Sequence, residues 1–247
     1  MSLSIAVWSD IACPWCWVGK KRLEAALKQL ADAGVQVDAE ITYHSFELDQ
    51  RKKDPTDTTP YVNRLANKYG FAVSKAQGMV DNMTKTGQAE GITFDFARAV
   101  PANTFDAHRL LHWARSSDEA GATKGAQARL KEAFMKAHFE QGVDIGKASS
   151  LLSVVDAEGL DVDGAAAVLS GDRFASDVRE DEAEAQALSI TGVPFFAIER
   201  FGVGGAQPPQ TFVDVIKRAL AEQAEAARER EAADALDEGA LCTPETC

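Results

Sequence analysis

Cys13 and Cys16 enclose Pro14 and Trp15 in a Cys-x-x-Cys, which sets two thiols one helical turn apart. Two sulfurs at that spacing suit thiol–disulfide exchange, in which the first attacks a disulfide and the second displaces the resulting mixed disulfide. The 247-residue chain holds only four cysteines. They fall into two close pairs at opposite ends, Cys13 with Cys16 and Cys242 with Cys247, whereas a disulfide scaffold spreads its staples through the chain. Each pair therefore reads as local and reactive.

The elements flanking the first pair fit that chemistry. Leu3, Ile5 and Val7 alternate with Ser4, Ala6 and Trp8 and predict a strand over 3–9. Trp15, Val18, Leu23, Ala26, Leu27 and Leu30 then form a helical stripe that ends by Gly34. The pair thus sits where a strand gives way to a helix beginning near Pro14. Unpaired N–H groups and the positive end of the helix dipole there favour a thiolate on Cys13 over its thiol.

Residues 35–46 predict a second strand, with Val35, Val37, Ala39, Ile41, Tyr43 and Ser45 on one side. A polar stretch over 49–59 follows, and the pattern is then helical for the next hundred residues. Pro60 suits a first helical turn, Ser74 a cap, and Asn103 with Thr104 precedes the stripe of Phe105, Leu111 and Ala114. Further helices are predicted over 123–139, 149–158, 162–170 (closed by Gly171) and 172–188. Residues 191–198 read as a turn feeding a buried strand, 202–205 as a short edge strand, and Phe212, Val215, Ile216 and Leu220 as a last helical stripe. A helical insertion between two halves of an α/β unit is the economical interpretation.

Three features together carry a resemblance: Cys13-Pro14-Trp15-Cys16 after a strand, the long helical insertion, and Gly192-Val193-Pro194 before a late strand. They resemble the DsbA-like branch of the thioredoxin superfamily, and Asn103-Thr104-Phe105-Asp106-Ala107-His108-Arg109-Leu110-Leu111 resembles a segment of its FrnE-like members. The resemblance implies an α/β, thioredoxin-like fold with a large all-helical insertion domain. Residues 1–50 and 171–247 would form the thioredoxin-like part with its C-terminal helix and tail, and 51–170 the insertion. It also implies Cys13 as attacking nucleophile, Cys16 as resolving thiol, and Pro14 and Trp15 as residues that tune the pair. Val193–Pro194 would be a cis peptide facing the cysteines, with the Val193 backbone offered to an extended client as an added strand. DsbA itself has a histidine where this chain has Trp15, so strong oxidising power is not expected.

The activity so implied is protein thiol–disulfide oxidoreductase or disulfide isomerase. It needs no organic cofactor, acts on protein clients with disulfides or thiols, and is recycled by a thiol reductant such as glutathione or thioredoxin; rescue of clients after oxidative stress is one setting. FrnE-like proteins also resemble hydroxychromene-carboxylate isomerases and kappa-type glutathione transferases, which makes a glutathione-dependent isomerase or transferase the enzyme alternative. Those relatives carry a serine where this chain has Cys13. A redox-regulated chaperone that holds clients on the helical part is the non-enzyme alternative.

Cys242-Thr243-Pro244-Glu245-Thr246-Cys247 adds a second dithiol that the family pattern does not supply. It follows an Ala-, Glu- and Arg-rich stretch over 221–236, with Gly239 as the expected stop. Asp237, Glu238, Glu245 and the terminal carboxylate disfavour thiolates there, so an auxiliary redox pair would pass electrons to the oxidised Cys13/Cys16 site. The other reading is an inert terminal peptide.

Cys13 and Cys16 also invite comparison with half a zinc site, but a structural site normally gathers four Cys or His ligands. His108 and His112 stand four apart. Arg109 occupies the position where a His-Glu-x-x-His metalloprotease needs its glutamate, so no metal is assigned and packing or capping is expected of both. Met79, Met83 and Met135 are expected in the core or a groove. With a net charge of −12 and no dense Lys/Arg block, nucleic acid is not an expected partner. Residues 1–8 lack the basic and apolar regions of a signal peptide, and no apolar stretch approaches the roughly 20 residues needed to span a bilayer. A cytoplasmic protein away from membranes is the expectation, in a compartment where a dithiol cycles.

Overall fold

Leu3, Ile5 and Val7 are buried on one face of strand β1 (Ser2–Ser9), and Trp8 is buried on the other. The computed structural model describes residues 2–51, 57–121 and 124–240, with backbone alone for 231–240. Helix α1 (Pro14–Asp32) follows and returns the chain to β2 (Asp38–Ser45), parallel to β1. Strands β3 (Phe195–Ile198) and β4 (Phe201–Gly204) complete a four-stranded mixed sheet of order β2-β1-β3-β4, with β3 antiparallel to both neighbours. Between β2 and β3 come α2 (Tyr61–Tyr69), α3 (Val73–Ala89), α4 (Phe105–Glu119), α5 (Ala126–Phe139), α6 (Ala148–Ala157), α7 (Val162–Ser170) and α8 (Ala175–Ala187). Helix α9 (Pro209–Ala240) ends the described chain. No described helix is long and apolar enough to cross a membrane.

Two main apolar cores result, and α1 belongs to both. Leu23, Ala26 and Leu30 pack with Ile5, Val7, Phe196, Phe212 and Ile216 between the sheet and α9. Cys13, Cys16, Trp17 and Val18, at the other end of the helix, join a second core with Phe94, Leu110, Leu130 and Phe134. The dithiol consequently lies where the helices of the insertion meet the sheet unit. On the sheet's other face Trp8 packs against Ala185 of α8 and Ile190.

Several local expectations shift. Strand β2 starts at Asp38 because the parallel ladder runs only from Ser2↔Asp38 to Ser9↔Ser45; Val35 and Val37 still pack on the sheet core. Pro60 is the residue before α2, with an extended ψ of 142°, not a member of its first turn. Ser74 lies inside α3, whose start is set by the Ala72 carbonyl accepting from Lys75 and Ala76 N–H. Gly239 does not end α9, which runs unbroken from Pro209 to Ala240. Gly34 does close α1: at φ 80° it lets Val35 N–H reach the Leu30 carbonyl at 2.9 Å.

Candidate active site

Cys13 is the N-cap residue of α1, with extended backbone (φ −103°, ψ 110°) and no side-chain cap bond. Its sulfur instead faces Val193, donating to the carbonyl oxygen at 3.7 Å. Pro14 occupies the first turn, where its missing N–H costs nothing, and Cys16 N–H returns to the Cys13 carbonyl at 3.1 Å. The first turn carries no acidic side chain to cancel the positive end of the helix. Both cysteines are free thiols, 4 % and 2 % exposed, whereas Trp15 between them in sequence is 41 % exposed.

The opposite wall is the Val193–Pro194 peptide, which is cis. Pro194 accepts from Gly205 N–H at 2.7 Å. Gly19 of α1 explains how closely this wall approaches: a Cβ there would stand 2.9 Å from Pro194 Cγ and 3.0 Å from Phe196 Cζ. The structure thus brings together Cys13, Cys16, Val193 and Pro194, from segments 180 residues apart in sequence. Cys242 and Cys247 lie outside the described residues.

Polar groups that the spacing of the cysteines does not reveal surround the pair. Asp10, 2 % exposed, holds the turn before Cys13: its carbonyl accepts from Cys13 N–H at 3.3 Å, and Oδ1 from Ala12 N–H at 3.3 Å. Oδ2 accepts from Leu48 N–H at 2.8 Å, and His108 Nε2 lies 3.3 Å from Oδ1. Burial alone would raise the Asp10 pKa, but the hydrogen bond and charge of His108, with Leu48 N–H and Thr104, bring it below the ordinary carboxylate value. Burial pushes the Cys16 thiol well up, reinforced by the hydrogen bond and charge of Cys13 and opposed by Lys131. Lys131 of α5 is 1 % exposed, and burial brings its pKa down to about 8 against the charges of Cys16, Asp10 and Cys13.

His108 and His112 serve two different carboxylates and do not converge on one ion. His112 Nε2 lies 2.9 Å from Asp181 Oδ2 and 3.1 Å from Ser45 Oγ, while Asp181 also meets His44 Nδ1 at 2.7 Å and Ser45 N–H at 2.6 Å. Neither histidine caps a helix; α4 starts with Asn103 Oδ1 accepting from Phe105 N–H at 3.1 Å. Met83 and Met135 are core residues, but Met79 is exposed. Lys131 was readable in principle, since it shares the buried stripe of Gln127, Leu130, Phe134 and Met135 at helical spacing. Asp10, three residues before Cys13 at a strand end, carries no comparable periodic mark.

The DSBA-like thioredoxin domain model matches residues 4–217 of the chain. A solved structure described as a "probable DsbA oxidoreductase" from Streptomyces coelicolor is 36% identical, covers 89% of this chain and 91% of its own, and superimposes with a TM-score of 0.78. The protein YwbO of Bacillus subtilis (strain 168) is 26% identical over 218 residues, 87% of this chain and 96% of YwbO. The cytosolic disulfide reductase DsbM from Pseudomonas aeruginosa shares the fold at 16% identity, 88% and 98% coverage and a TM-score of 0.57. A thioredoxin fold carrying a helical insertion, with its Cys-x-x-Cys at the start of α1, places the chain in the DSBA-like thioredoxin domain family.

Proposed function

We propose that the protein is a thiol–disulfide oxidoreductase of FrnE-like type that also isomerises protein disulfides, with Cys13 as nucleophile and Cys16 as resolving thiol. The supporting observation is the free dithiol at the start of α1, with Cys13 Sγ against the backbone of Val193. Attack by Cys13 on a client disulfide forms one S–S bond to the client and releases one client thiolate. Cys16 then attacks Cys13 Sγ, and the second client sulfur leaves as a thiol, so two electrons pass from the enzyme pair to the client. Isomerisation ends instead when a client thiol displaces Cys13.

A client strand lying along Val193 would be held by its backbone and read loosely by side chains, which suits many sequences. Pro14 and the exposed Trp15 enter as the residues that tune the pair. The glutathione-dependent isomerase reading leaves the second thiol without a task, since activating one glutathione needs a single hydroxyl or thiol. Glutathione or thioredoxin enters here as the reductant that restores the dithiol, in a cytoplasmic setting. Cys242 and Cys247 enter as an auxiliary pair feeding electrons to the oxidised site. Residues 51–170 are assigned as the helical insertion domain.

Reactivation of scrambled ribonuclease tests the reading with Cys13→Ser, Cys16→Ser and Cys242/Cys247→Ser variants. Cys13→Ser is expected to abolish reactivation, Cys16→Ser to block net electron transfer, and the tail variant to slow recycling alone. Reactivation by Cys13→Ser at the parent rate would remove Cys13 from the chemistry.

A further inference from the structure

Lys131 holds a buried amine at the end of a long apolar stem. Its Nζ is buried and has no hydrogen-bond partner among the described residues. The neighbouring carboxylates are already committed. Glu24 and Glu132 hold Lys20, Glu132 also holds Lys21, and Asp10 is taken up by His108 and the N–H groups of Ala12 and Leu48. From β2 the face of the Tyr43 ring lies against it, with Nζ 5.3 Å from the ring centroid. A lone buried cation is costly, and such groups are rarely kept without a partner.

The remaining groups that act on Lys131 are those of the redox turn. They are Cys16 and Lys20 on α1 and Asp10 and Cys13 in the turn before that helix, and the influence of Cys16 is the largest of the favourable ones. Helices α1 and α5 pack together, which fixes this neighbourhood. Both cysteines become thiolates in the reaction, Cys13 to attack the client and Cys16 to close the disulfide, and of the two Cys16 acts on Lys131 the more strongly.

We propose that Lys131 is the counter-charge of Cys16: its unpaired ammonium stabilises the thiolate that Cys16 must form to close the disulfide with Cys13. This inference rests on the oxidoreductase reading and names a positioning residue for its second half-reaction. Cys16 gives its proton to water, its sulfur bonds to Cys13 Sγ, the Cys13–client S–S bond breaks, and the client thiolate takes a proton back from water. Lys131 neither donates nor accepts an atom in this balance. Carried by α5, it makes the rate of client release a property of the insertion helices.

The pH dependence follows from the cation. Burial brings Lys131 down to about 8. Below that pH the ammonium is present and the closing rate climbs as Cys16 loses its proton. Above it the pair holds one proton between its two members, and the rate levels. Without the lysine, nothing produces that break, and the rate keeps climbing toward the raised titration of Cys16.

The test uses the full-length chain with Cys242 and Cys247 replaced by serine, reduced and mixed with an equimolar symmetrical aromatic disulfide whose thiolate absorbs light. The first equivalent of thiolate reports attack by Cys13, and the second reports closure by Cys16. Lys131→Met is expected to leave the first phase close to the parent's and to slow the second about tenfold at pH 7, the equivalent of one pKa unit on Cys16. The gap should narrow as pH rises past about 8. Because methionine removes an unpaired buried charge, the variant should melt no lower than the parent; Lys131→Gln repeats the measurement if methionine prevents folding. A second phase in a folded variant with the parent's rate and pH profile overturns the role of Lys131 alone. A first phase that persists in Cys13→Ser overturns the oxidoreductase reading on which it rests.

Discussion

Arg109→Met is expected to cost about 2 kcal/mol or more of folding stability, because it takes the donors from the buried Val168 carbonyl and from two partly buried ones at once. Arg109 is 4 % exposed on α4. Its Nη2 donates to the carbonyls of Val168 and Gly171, both at 2.5 Å, and its Nε to that of Arg173 at 2.9 Å. These oxygens end α7 and lead into α8, where a helix C-terminus lacks partners of its own. Nη1 meets Asp106 at 2.8 Å, which anchors the fork on its own helix. Methionine fills the volume but supplies no donor. Arg109→Lys should fall between, since one ammonium cannot serve so spread a set of acceptors. Denaturant unfolding of the three proteins checks the order, and a methionine variant as stable as the parent would contradict it.

Acid should destabilise the fold well above the range where carboxylates titrate, and His138 is the reason. Its ring is 3 % exposed, its Nδ1 has no hydrogen-bond partner among the described residues, and burial pushes its pKa down to about 4. The charge of Arg64 adds to that effect, and the charge of Asp10 opposes it. The unfolded chain takes up this proton near pH 6.5 and the folded chain only near 4, so stability is whole above 6.5 and drains away down to about 4. At about 1.4 kcal/mol per unit the loss is roughly 3 kcal/mol. His138→Leu should remove that slope.

Asp181 acts in a lower window. Burial raises its pKa, but hydrogen bonds from His112, His44 and Ser45 and the charge of His44 bring it well below the ordinary value. Its contribution is present above the unfolded value of 3.8 and is lost only as pH falls beneath that. Unfolding free energies measured from pH 7 to pH 4 separate the two residues. An unchanged slope in His138→Leu would contradict the assignment.

What the sequence revealed of the site depended on whether residue type alone determines the chemistry. Cys13 and Cys16 were readable because sulfur at that spacing has few other uses, and Leu3, Ile5 and Val7 because a strand's period is written in the chain. Val193 and Pro194 became readable only through the family resemblance, since a Gly-Val-Pro by itself is an ordinary turn. Asp10 and Asp181 escaped because a carboxylate is defined by the groups that fold around it, here a histidine from α4 and backbone N–H groups from distant segments. Ser74 misled because capping propensity yields where the preceding backbone already starts the helix at Ala72. His108 packs as expected, 1 % exposed, but caps no helix, and its carboxylate partner comes from the β1–α1 turn nearly a hundred positions earlier.

The identity of the reacting sulfur is decided most directly by trapping the covalent intermediate. Full-length Cys16→Ser, reduced and then mixed with a disulfide-bonded protein, has no thiol at position 16 to release the client. A client adduct is expected to accumulate, to dissolve on adding reductant, and to map by peptide mass to Cys13. An adduct that fails to form, or that forms only at Cys242 or Cys247, would contradict the account.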